Sequence, residues 1–129
     1  MADINNETQG RSSTPVRPLY TKMDPADKAQ WCAALRSGEY SQCRGVLYQT
    51  FLDARAQYCC LGVNLVTLHG FAAPVSPLET CLIHPDGPHK LSNWRDIIGL
   101  TEAAVKQLIE MNDGGKTFAQ IADWIEENL

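Results

Sequence analysis

Residues 101–129 constrain the fold most tightly. Thr101 stands ahead of an apolar stripe of Ala104, Val105, Leu108 and Ile109, and Asn112, Gly114 and Gly115 stop that helix. Thr117 and Gln120 have the T-x-x-Q spacing of a capping box, and Phe118, Ile121, Ala122 and Ile125 repeat the stripe. Two such helices joined by a link of about five residues predict a C-terminal helical hairpin.

Upstream, Asp24 and Pro25 suit the first turn of a helix over about 25–37, with Trp31 and Leu35 on one face and Gly38 as its stop. In CRGVLYQTF the β-formers alternate, which predicts a strand; LDARAQ then serves as the turn, and Tyr58 and Cys59 close a short antiparallel partner. From Cys60 the period changes. Leu61, Leu65 and Leu68 recur at helical spacing and Gly70 ends a buried helix over about 60–69. Residues 71–93 hold Pro74, Pro77, Pro85 and Pro88 and read as a long loop, with TCLI as a short strand and LSNWRDIIGL as a short helix. The expected class is α+β: a mostly helical single domain with a small central antiparallel sheet and a C-terminal helical hairpin. Residues 1–22 are polar and Pro-bearing and are expected to form a flexible arm; residues 23–129 form the globular domain.

Composition sets further limits. The chain has 129 residues, 44% hydrophobic and 20% charged, which suits one folded domain with a real core. No apolar stretch reaches the roughly 18 residues of a membrane span, and the start lacks an apolar signal segment, so a cytoplasmic protein with no membrane partner is expected. In that compartment Cys32, Cys43, Cys59, Cys60 and Cys81 stay thiols. The net charge is −4, and residues 101–129 supply it with six acidic and two basic groups. A phosphate-gripping nucleic-acid binder needs a basic face, so direct nucleic-acid binding is not expected. The acidic C-terminal face, with Asp123, Glu126 and Glu127, suits a basic protein partner or plain solvation.

Three constellations carry chemistry. The first is the Cys59–Cys60 pair, read as small buried packing thiols. Two alternatives stay open: a nucleophile served by His69, His84 or His89, and a zinc site from Cys81, His84, His89 and one of the pair. The second is the mixture of Arg36, Tyr40, Arg44, Gly45, Tyr48 and Arg55. Guanidinium forks bind phosphate and tyrosines stack on bases, so this mixture points to a pocket for a small anionic, nucleotide-like ligand. In that pocket Arg36 and Arg44 grip phosphate, Tyr40 or Tyr48 stacks, and the backbone of Cys60, Leu61 and Gly62 donates N–H groups at a helix start. No metal or cofactor is expected. The third is KTFAQIADWIEENL, which has the look of half a helix-turn-helix, but its acidic run repels DNA.

WCAALRSGEYSQCRGVLY, then YCCLGVNL, then LIEMND-GGKTFAQIADWIE, resemble a group of small proteins of tailed phages and prophages. The resemblance spans roughly residues 28–128 and departs from the group's C-C-L-G-V-L-C at Asn64 and Leu65, and at Cys43, where a glycine is common. It implies a phage accessory product acting on host pathways. On that analogy the chain is a non-enzymatic, homo-oligomeric binding protein that sequesters a nucleotide-like defence messenger. The alternatives are an inhibitor of a host defence complex, and a cysteine-dependent hydrolase or zinc protein.

Overall fold

The computed structural model describes residues 20–50, 56–74, 82–86 and 94–129. It is a small α+β domain. In chain order the elements are α1 (Pro25–Arg36), β1 (Ser41–Gln42), β2 (Tyr48–Thr50), β3 (Ala56–Tyr58), α2 (Cys60–His69), α3 (Trp94–Ile98), α4 (Glu102–Asp113) and α5 (Phe118–Asn128). Among the described residues no helix is long and apolar enough to cross a membrane.

The helix ends follow from local chemistry. Asp24 accepts from the backbone N–H groups of Ala26 and Asp27, and Pro25 occupies the first turn of α1. Gly70 ends α2 in the left-handed conformation, at φ +76°. Thr101 caps α4 through the Ala104 N–H, and Thr117 and Gln120 form a complete capping box on α5.

The sheet differs from expectation in one respect. Its order is β1-β3-β2, with β2 antiparallel to β3 but β1 parallel to it. The sheet is therefore mixed. β1 is two polar residues, too short to carry an alternating signal, and it owes its place to tertiary contacts. Among the described residues the strand expected across CRGVLYQTF covers Tyr48–Thr50, starting late because Gly45 turns the chain at φ +82°. Ile83 pairs with Ala72 as an isolated bridge, so TCLI contributes one contact and no strand among the described residues.

The core lies where α1, α2, α4 and α5 meet. Trp31, Cys32 and Leu35 of α1 face Ile121, Ala122 and Ile125 of α5, with Leu61 and Val63 of α2 and Val105 and Leu108 of α4 completing it. Each fully buried Leu or Ile contributes roughly 1.5–3 kcal/mol. The Trp31 indole N–H donates to the Cys60 carbonyl at 3.0 Å, which ties α1 to the start of α2. The last residues assigned to the arm dock on α5: Tyr20 meets Trp124 edge-on at 5.1 Å, and Lys22 donates to the Asn128 carbonyl. The remainder of the arm, residues 1–19, lies outside the described residues.

Candidate ligand cleft

Asn112 sits at the end of α4, in phase with Val105 and Leu108, and is 1% exposed. Its side chain is inserted between two other segments. Oδ1 accepts from the Cys60 N–H at 3.2 Å, and Nδ2 donates to the Cys43 carbonyl at 2.7 Å. A parallel ladder continued from β1 and β3 would join those two backbone groups directly. The carboxamide thus replaces one peptide link of the sheet. Gln42 Nε2 donates to the same Oδ1 at 3.0 Å and to the Lys116 carbonyl at 2.8 Å. Asp113 follows and accepts the Gly45 N–H at 2.9 Å, which pins the turn that precedes β2.

This bracing leaves a cleft of about 290 Å³. Gly45, Val46 and Leu47 form one wall, Cys59, Cys60 and Leu61 the floor, Trp94 and Arg95 of α3 another wall, and Ile109, Asn112 and Asp113 of α4 the last. The Arg95 guanidinium lies 4.8 Å from the centre of the Trp94 ring. The surroundings are mostly apolar, with three polar side chains: the composition of a small-molecule site.

Of the residues named for the pocket, Gly45, Cys60 and Leu61 line this cleft, and Arg36, Tyr40, Arg44, Tyr48 and Gly62 do not. Arg36 is committed elsewhere. α5 packs on α1 and brings Asp123 to 2.6 Å and both oxygens of Glu126 to 2.9 Å from its guanidinium. The hydrogen bonds with Glu126 and Asp123 hold Arg36 firmly in its charged form and lower the Glu126 carboxyl. The acidic face predicted for a partner is thus partly neutralised within the chain. Tyr40 and Tyr48 both meet Tyr58 edge-on, with ring centres 5.3 Å apart, as a ladder across the sheet. The Arg44 guanidinium lies by Gly115. Gly62 faces the strand side, where an added Cβ would run into the Leu47 carbonyl oxygen. Arg55 lies outside the described residues.

The helix start is also occupied. The Cys60 N–H is held by Asn112, while the Cys59 side chain makes no capping hydrogen bond. Burial pushes the Cys59 thiol up, and pushes Cys60 higher still. Burial likewise pushes Cys43 and Cys32 up to about 11. His69 stands at the far end of α2, roughly 14 Å from its start by helix rise. His84 instead accepts the Asp86 N–H and packs on Phe71. The length of α2 thus keeps His69 away from the cysteine pair. Among the described residues no three His, Cys, Asp or Glu side chains are placed to hold a metal. Cys81 and His89 lie outside the described residues.

Trp94 and Arg95 line the cleft without any sequence reading having named them as a site, and Asn112 and Asp113, which could offer polar ligands, read from sequence more simply as residues closing a helix end. One signal was present: Asn112 is a polar residue on the apolar stripe of α4. Residues 23–71, from just before α1 to just past α2, are similar to a family model described as a Domain of unknown function (DUF8296), and no curated protein and no solved structure matches the chain.

Proposed function

We propose that this chain is a non-enzymatic binding protein for a small nucleotide-like ligand, held in the cleft between the start of α2 and α3. The observation that carries the reading is one apolar cleft with Trp94 and Arg95 on one wall and Asp113 on another. A heterocyclic base packs against Trp94, its N–H donors turn to Asp113, and its phosphate turns to Arg95. The volume stands at the lower edge of the range for ligand sites, which favours a single nucleotide over a larger cyclic oligonucleotide. The phosphate grip first assigned to Arg36 and to the helix start passes to Arg95. The resemblance to phage proteins supports a setting in which the ligand is a host signalling nucleotide.

Calorimetry with purine and pyrimidine mononucleotides tests this. Saturable binding that falls at least tenfold in Arg95→Ala and Trp94→Ala supports the reading. No heat at high micromolar concentration with any of them, or binding indifferent to both substitutions, overturns it.

A further inference from the structure

The register of β1 on β3 pairs Ser41 with Gln57 and Gln42 with Tyr58. One further step sets Cys43 opposite Cys59. The Cys43 N–H donates to the Tyr58 carbonyl at 2.9 Å, the bond that a parallel ladder makes from a residue facing Cys59. Paired residues of a ladder point to the same face, and their chains run about 4.8 Å apart. That spacing falls within the roughly 4.4–6.8 Å between Cα atoms that a disulfide spans, and the Cβ atoms need to close by only a few tenths of an ångström to reach its roughly 3.5–4.5 Å. Both thiols are free and buried, yet Cys59 also lines the cleft, so a small reagent in the cleft reaches it first. Cys60 is turned away, with its sulfur toward the Leu108 carbonyl, and Cys32 faces the Ala122 carbonyl on the far side of the core.

We propose that Cys43 and Cys59 are a reversible oxidation site, joined as a disulfide at the cleft floor by a hydroperoxide. The Cys59 sulfur attacks the peroxide O–O bond as its thiolate, a minor form because burial favours the thiol, so the step is slow. It gains a hydroxyl as that bond breaks, and the other oxygen leaves with the thiol proton as water or alcohol. The Cys43 sulfur then attacks the sulfenic sulfur. The S–S bond forms, the S–O bond breaks, and the hydroxyl departs with the Cys43 proton as water. Two electrons pass from the two sulfurs to the peroxide. A low-molecular-weight thiol restores the pair by exchange, and is itself oxidised to its disulfide. The staple fixes β1 to the start of α2 beside Asn112.

The test uses the full chain, folded and reduced, exposed to hydrogen peroxide, alkylated and mapped by peptide mass spectrometry without reduction. The expected result is a Cys43–Cys59 linked peptide, two of the five thiols protected from alkylation, and full recovery with dithiothreitol. In Cys43→Ser, and in Cys43→Ala as a second variant, dimedone labels Cys59 as its sulfenic acid. A dominant link between any other pair overturns the proposal. So does a dimedone-labelled Cys59 that persists in the wild-type chain, or five alkylatable thiols after peroxide treatment. The wild-type map decides even where a variant fails to fold.

Discussion

Among the described residues two asparagines, Asn64 and Asn112, are buried, each 1% exposed, and replacing each by leucine has opposite consequences. Asn112→Leu removes a carboxamide that joins the Cys60 N–H to the Cys43 carbonyl. Both backbone groups are then buried without partners, and each such group costs about 1–3 kcal/mol. Leucine returns part of this as apolar burial, about 1–2 kcal/mol. The expected net loss is about 3 kcal/mol, which for a domain of this size lowers Tm by roughly 10 °C. Asn64 is the contrast, because neither its Oδ1 nor its Nδ2 has a hydrogen-bond partner among the described residues. Asn64→Leu removes two unsatisfied polar atoms and strands nothing, and is expected to stabilise by about 1–3 kcal/mol. Urea melts of the two variants beside the wild type, with unchanged m-values, give the comparison. A loss below about 1 kcal/mol at Asn112, or a clear loss at Asn64, refutes the reasoning, which places Asn112 in the backbone ladder and Asn64 outside any network.

Gly62→Ala is expected to destabilise by about 1–3 kcal/mol despite alanine's better helix propensity, because the new Cβ meets backbone at Leu47; denaturant melts read it. The buried thiols give an alkaline limb. With Cys32 and Cys43 raised from 9.0 to about 11, the folded state retains protons that the unfolded chain has released, so stability is complete below pH 9 and falls as pH rises towards 11. Thermal melts across that window check it, and Cys32→Ala with Cys43→Ala reduces the slope, the remainder coming from Cys59 and Cys60. On the acid side the signs reverse. His69 and Glu126 have lowered pKa values in the fold, so their contributions are present above 6.5 and 4.5 respectively and are lost as pH falls; Arg36→Gln should remove the Glu126 part of an acid melt. The same Arg36→Gln variant is expected to leave mononucleotide affinity within twofold, since Arg36 stands apart from the cleft.

Most of the fold was legible because its signals are local. Asp24 with Pro25, Thr117 with Gln120, and Gly70 each act within one turn, so the helix starts and stops could be read from neighbours in sequence. β1 was not legible. Ser41 and Gln42 have no intrinsic strand preference, and they pair with β3 because the Asn112 network holds the following segment in place. The candidate site was less visible for the same reason. Arg36 looked available because Asp123 and Glu126 lie about ninety positions away, and only the packing of α5 on α1 brings them together. The tyrosines looked like stacking surfaces for a base, whereas both meet Tyr58 edge-on, Tyr48 through cross-strand register and Tyr40 from just before β1. Cys60 and Leu61 do reach the cleft, through their place on its floor; the free helix start expected there is filled by an asparagine from α4. That asparagine was treated as a helix stop, although its position on an apolar stripe marked it as a buried polar group in need of partners.

The claim that matters most is that Trp94, Arg95 and Asp113 frame a nucleotide site over the Cys60–Leu61 floor. Amide and indole chemical-shift mapping during titration with a purine mononucleotide tests it most directly. The account predicts saturable shifts at Val46, Leu47, Leu61 and the Trp94 indole, with Arg36 and Tyr40 unmoved. Shifts centred on Arg36 and the tyrosine ladder, or none at saturating nucleotide, would contradict it.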